Sequence, residues 1–177
     1  MNSFWDALLA EVGHVVPDAN TFARVLVRLG FAVLLTSVIG WDRERGRKTA
    51  GLRTHLMVAI GSALFVLILE DSTGDQAVSR VIQGITAGVG FICGGAILKL
   101  ESQNKVRGLT TAGSVWFAAA IGVAAGTGKL AAAIGGTIFA WIVLSLLAKV
   151  EIARKEPKVV VHGQATLHNG NDFEDDE

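Results

Sequence analysis

The sequence contains one cysteine, two prolines and no tyrosine, and charged residues fill only 18% of its 177 positions. A lone cysteine excludes a disulfide framework, and Cys93 sits inside an uncharged run, where a small apolar packing role is expected. The four histidines, His14, His55, His162 and His168, share no ligand spacing with Cys93 or with one another, so no metal site is expected. Lys plus Arg and Asp plus Glu balance at 16 each, which excludes the basic surplus that a nucleic-acid partner requires. No nucleophile stands at motif spacing from a base and no phosphate-binding glycine loop occurs, so neither an enzyme nor a cofactor is predicted. The first 21 residues carry Asp6, Glu11 and Asp18 but no Lys or Arg, unlike the basic start of a secretory leader. They are expected to stay on the protein as an extracytoplasmic segment. Within it Phe4, Trp5, Leu8, Leu9 and Val12 have helical spacing, which predicts a short interfacial helix over 3–13 that ends before Pro17.

Charge is missing above all from five stretches: 29–41, 54–69, 81–98, 108–128 and 130–148, together 87 of the 177 residues. A hydrocarbon core of about 30 Å takes about 20 helical residues, and a few flanking positions complete each run. With a mean hydropathy of +0.48, the chain is predicted to be an all-α polytopic membrane protein with five transmembrane helices at about 22–41, 54–70, 79–98, 109–126 and 129–149. A soluble bundle keeps a polar stripe on each helix, and these runs are apolar or small all round. Basic residues then set the orientation, because they are retained on the cytoplasmic side. Twelve fall in alternate segments: Arg43, Arg45, Arg47, Lys48 and Arg53; Lys99, Lys105 and Arg107; Lys149, Arg154, Lys155 and Lys158. The opposite side has Arg80 and Lys129 beside Glu70, Asp71 and Asp75. The amino terminus is therefore expected outside and the carboxyl terminus in the cytoplasm. Arg28, one turn from Arg24 at the outer end of the first helix, is expected to pair with one of those acids, and Arg80 belongs to the same outer charge set.

The third run holds Gly84, Gly88, Gly90, Gly94 and Gly95. On a helix Gly84, Gly88 and Gly95 share one side and Gly90 and Gly94 another, so this helix is expected at the centre, packed closely on two neighbours. Thr111, Ala118, Gly122 and Ala125 of the fourth helix and Ala132, Gly136 and Ala140 of the fifth offer matching small stripes. A homodimer seam or a glycine-lined conduit is the alternative use of the same faces.

Two cytoplasmic segments open inward-starting helices alike: Ala50-Gly51-Leu52-Arg53-Thr54-His55 and Val106-Arg107-Gly108-Leu109-Thr110-Thr111. In each a Thr is placed to cap free amides and an Arg stands beside the positive end of the helix dipole. Such ends accept an anion: a lipid phosphate, a partner's carboxylate, or the chain's own Asp42 and Glu44.

Gly40-Trp41-Asp42-Arg43-Glu44 resembles the Gly-x-Glu-Arg-Glu element of the MgtC/SapB membrane proteins, and Ala50 to His55 matches the element that follows it. Ser79-Arg80, Gly88-Val89-Gly90-Phe91-Ile92 and Gly95 are similar to the family's glycine-rich third helix, and Val106 to Ala112 with Trp116 to the element beyond. The resemblance runs in order from residue 28 to about 126. Asp42 replaces the usual Glu, Cys93-Gly94-Gly95 stands for Gly-Ala-Gly, and Gln83 comes one place early. The resemblance implies a bacterial inner-membrane protein tied to growth under magnesium limitation and, in intracellular pathogens, to survival in the host. It also implies a regulator rather than a carrier, with the F-type ATP synthase as one partner of the family. Longer members end in a soluble ligand-binding-like domain, where this chain has residues 151–177. Pro157 and the acidic Asp172, Glu174, Asp175, Asp176 and Glu177 predict a disordered cytoplasmic tail there.

The rival reading is a channel or transporter for a divalent cation or small solute through the third helix. None of the five runs contains a carboxylate, although hard cations demand oxygen ligands and carriers place ionisable groups near the midplane. The expected working surface is a cytoplasmic cluster of Asp42, Arg43, Glu44, Arg53, Thr54, His55, Arg107, Thr110 and Thr111. Its expected partners are membrane lipids and another inner-membrane protein.

Overall fold

The structure is a computed structural model and describes residues 4–7, 9, 18–70, 75–100 and 105–154. Five long helices follow one another: α1 (Ala19–Arg45), α2 (Leu52–Glu70), α3 (Asp75–Gly95), α4 (Leu109–Gly126) and α5 (Leu130–Arg154). Between α3 and α4 stand two short strands, β1 (Leu98–Leu100) and β2 (Lys105–Arg107), paired antiparallel with Leu98 opposite Arg107. Three residues a side are too few to leave a readable period, so this ribbon goes unannounced in the sequence. Of the interfacial helix expected over 3–13, residues 4–7 and 9 are helical, with Phe4 and Trp5 in edge contact, and the rest lies outside the described residues. So does the acidic tail beyond Arg154.

Four helical stretches, Ala19–Arg45, Leu52–Leu69, Gln76–Gly95 and Leu109–Gly126, are long and apolar enough to cross a membrane, and α5 carries a shorter apolar stretch over Leu130–Leu146. The outside of the bundle is correspondingly greasy: Leu34, Phe65, Ile68, Phe91 and Phe139 all face outward, Phe91 at 88% exposure. In water such a surface is a liability, and in a bilayer it is the lipid contact. The chain is a membrane protein.

Helix α1 begins where Asp18 caps it, its Oδ1 accepting from the Asn20 amide at 2.6 Å. It runs on to Arg45, past the uncharged run, so Asp42 to Arg45 are helical rather than loop as the charge pattern suggested. Arg43 and Arg45 occupy the last turn, where the negative end of the dipole favours them. Two crossed bonds then close the helix, Lys48 N–H to the Arg43 carbonyl and Arg47 N–H to the Glu44 carbonyl, with Arg47 at φ 48°. Helix α4 ends the same way with Gly128 at φ 73°, the residue type that takes this conformation without strain.

The central element is α4, not α3. It packs on all four other helices and most extensively on α2. Ala118, Gly122 and Gly126 repeat a small residue every four positions, which lets the backbones meet. A Cβ on Gly122 would overlap the Ala59 carbonyl, and one on Gly126 would lie 3.0 Å from Ala63 Cα. By contrast Gly84, Gly88, Gly90, Gly94 and Gly95 have nothing within 4 Å of an added Cβ. Within the chain these five glycines hold no close helix contact. Glycine number alone suggested a central α3, but all five of these glycines are exposed, and the face that packs inward is that of Ile85, Val89 and Cys93. Cys93 does pack as expected, against the cluster of Ala50, Val89, Val115 and Ala119, and its thiol also donates to the Ala112 carbonyl at 3.1 Å.

At the far end of the bundle Arg28 Nη1 donates to the Gly126 carbonyl at 2.9 Å, placing a cation on one of the open carbonyls of α4. The side chains of Glu70, Asp71 and Asp75, named as its acidic partners, lie outside the described residues.

Candidate functional site

Gly40 brings α1 onto the start of α2: its missing side chain leaves Leu52 Cα at 3.0 Å and His55 Cβ at 3.3 Å from where a Cβ would stand. The next turn of α1 is thereby delivered to the amino-terminal end of α2. There Glu44 Oε2 accepts from the Leu52 amide at 2.8 Å. The carboxylate lies over Gly51, where a Cβ would overlap Oε2. The anion expected at this helix end is thus the chain's own Glu44, and Gly51 is small because the carboxylate needs its space.

The capping role expected of threonine is corrected by the helix starts. With α2 beginning at Leu52 and α4 at Leu109, Thr54, Thr110 and Thr111 fall inside the first turn, past the capping position. Gly108 caps α4 at φ 94° without a side-chain bond, and a Cβ there would overlap the Ala96 carbonyl. The two similar segments therefore share a glycine on which another group closes, Glu44 in one case and the Ala96 backbone in the other.

Arg43 is 4% exposed and meets its neighbour Asp42, Nε donating to Oδ2 at 3.0 Å and Nη2 donating to the same oxygen. A buried guanidinium needs such a partner, because an unpaired charge at this depth costs several kcal/mol. Arg45 stacks over the Trp41 ring at 5.4 Å. Trp41 is exposed at this end of α1, as suits an indole at a membrane interface.

His55 is fully buried and joins α2 to α4. Its Nδ1 lies 2.7 Å from the Gly51 carbonyl, which can only accept, so Nδ1 carries the proton. Nε2 lies 3.0 Å from the Ser114 hydroxyl, whose single proton faces two acceptors, Nε2 and the Thr111 carbonyl at 2.8 Å. Of the predicted cluster, Asp42, Arg43, Glu44, His55 and the Thr111 backbone are bound into this corner. Arg53, Thr110 and Arg107 are exposed, Thr54 is half-buried, and neither Arg53 nor Arg107 takes a hydrogen-bond or ion-pair partner among the described residues. Gly51 stands between Glu44 and His55, and Ser114 links the site to α4. Ser114 stands 59 residues from His55, and no local spacing marks such a pair. Among the described residues no three His, Cys, Asp or Glu side chains gather as a metal site would require.

Glu44→Ala is expected to release the first turn of α2 at a cost of about 1 kcal/mol. Amide exchange at Leu52 should quicken accordingly while exchange in the middle of α2 stays unchanged.

Against known proteins, the model of the MgtC family matches residues 29–153. Protein SrpB of Synechococcus elongatus is 42% identical over 130 residues, 67% of this chain and 71% of its own length. YhiD of Escherichia coli strain K12, which carries the provisional name of magnesium transporter, is 36% identical over 157 residues, 84% of this chain and 71% of its own. Protein MgtC of Brucella abortus is 42% identical over 125 residues, 71% of this chain, which spans about half of that protein's length (52%). No solved structure matches. The match over residues 29–153 takes in α1 from its middle onward and nearly all of α2 to α5, and the chain belongs to the MgtC family.

Proposed function

We propose that the chain is a non-enzymatic regulatory protein of the bacterial inner membrane, linked to magnesium-limited growth and, in a pathogen, to survival in the host, and that it acts by contact with another membrane protein. In this reading five spans place the amino terminus outside, and the Asp42–His55 corner faces the cytoplasm. The observation that carries it is the division of labour in that corner. Arg43 is paired with Asp42 on α1, Glu44 holds the start of α2 and His55 meets Ser114 of α4, whereas Arg53 and Arg107 stand exposed. A rigid base with outward guanidinium groups suits an acidic surface on a partner. The F-type ATP synthase is the first candidate, on the family resemblance. The provisional name of the relative YhiD, a magnesium transporter, supports a magnesium-related setting.

Contact is favoured over transport by what the helices bury. The buried polar side chains among the described residues are Thr36, Arg43, His55, Ser62, Thr111, Ser114 and Thr137, without a carboxylate to hold a divalent cation. A photo-crosslinking residue at position 53 or 107, activated in native membranes, should capture a discrete membrane protein. Adducts with lipid alone at both positions would contradict the proposal.

A further inference from the structure

The glycines that do not pack within the chain leave a furrow. Between α2 and α3 lies an open cavity of about 720 Å³, walled by Gly61 and Phe65 on one side and by Gly84, Gly88 and Ile92 on the other. Its size falls within the range of about 300–1,000 Å³ typical of ligand sites. The furrow exists because Gly84 and Gly88 present bare backbone where side chains would fill it. The lining is apolar except for buried Ser62 and for Arg80, which is exposed at one end and takes no partner among the described residues. Arg80 directly precedes the uncharged run 81–98, so it stands where headgroups begin. From Arg80 to Ile92 the helix rises about 18 Å at 1.5 Å per residue, slightly more than half of a hydrocarbon core of about 30 Å.

We infer that this furrow is a binding site for one phospholipid molecule, an acyl chain lying along Gly84 and Gly88 and the phosphate held by Arg80. The site opens at the end of the bundle opposite the Asp42–His55 corner, because α3 starts where α2 finishes. Length matches one leaflet's chain, and charge complementarity selects the occupant. A phosphodiester gives the guanidinium two acceptor oxygens in the geometry of its fork, which an apolar helix from a second copy does not. The structure also explains why glycine, rather than any apolar residue, recurs on this face: a methyl or larger group would occupy the chain's volume.

The test uses the full chain in detergent micelles supplemented with phosphatidylglycerol, read by native mass spectrometry after the micelle is stripped. The natural sequence should retain one phosphatidylglycerol per chain and prefer it to diacylglycerol of the same chains. Gly84→Leu with Gly88→Leu fills the furrow and should lower retention about tenfold, equivalent to 1.4 kcal/mol. Both positions have open space, so the helix tolerates the change. Gly90→Leu with Gly94→Leu adds the same bulk on open positions that do not line the furrow and should retain lipid as before. Arg80→Gln should keep the chain but lose the preference over diacylglycerol. Equal retention in all variants overturns the inference. So does a Gly84→Leu, Gly88→Leu variant that converts a dimer to a monomer with lipid retention unchanged, since the furrow would then hold a second copy.

Discussion

Gly122→Ala is expected to lower stability by about 2–3 kcal/mol, as an overpacked contact between rigid elements does. The added Cβ would meet the carbonyl and Cα of Ala59, which are backbone and cannot swing aside. The two helices must separate or shift along one another, and α2 with α4 is the most extensive pairing in the bundle. Gly90→Ala is the internal comparison: nothing lies within 4 Å of its Cβ, and replacing a helical glycine gains about 0.5–1 kcal/mol of backbone entropy. Unfolding in mixed micelles of increasing denaturing-detergent fraction should therefore move the two midpoints in opposite directions. Were Gly122→Ala as stable as the natural sequence, the close approach of α2 and α4 would be wrong.

His55→Ala is expected to cost about 3 kcal/mol, from the cavity left by a fully buried ring and from the Gly51 and Ser114 groups left without their partner. The loss should be shared with Ser114. In a double-mutant cycle His55→Ala and Ser114→Ala should couple by about 0.5–3 kcal/mol, as residues in one hydrogen-bond network do. His55→Ala and Thr137→Val should add independently, since Thr137 bonds the Ala133 carbonyl of its own helix. Additivity of the first pair would remove His55 from the bridge between α2 and α4. It would also leave the corner's rigidity to Glu44 and the Asp42–Arg43 pair.

Uncharged runs announced the helices because a bilayer sets their length: three of the five runs lie wholly within helices, and the other two overrun theirs by three residues each. The ends were less legible. Asp42 to Arg45 look like loop by charge, yet the last turn of α1 welcomes Arg43 and Arg45, and Asp42 neutralises the buried guanidinium. The candidate corner was visible as two similar segments around Gly51 and Gly108. Their shared residue proved to be the glycine and not the threonine, because what matters is the group that closes over the missing side chain. Helix order in the bundle was the least legible feature. Glycine at Gly84 and Gly88 signals an absent side chain equally whether a helix or an open furrow faces it. Only the four-residue repeat of Ala118, Gly122 and Gly126 distinguishes the face that packs.

In the proposed function the exposed Arg53 beside this corner acts on a partner and not on the fold. The direct test is growth in low magnesium of a strain whose own copy is replaced by Arg53→Gln, with membrane abundance of the variant measured in the same cells. Arg53 takes no partner among the described residues, so abundance is predicted to match the natural protein while growth falls to that of a strain lacking the gene. Growth equal to that of the natural protein at equal abundance would contradict the claim.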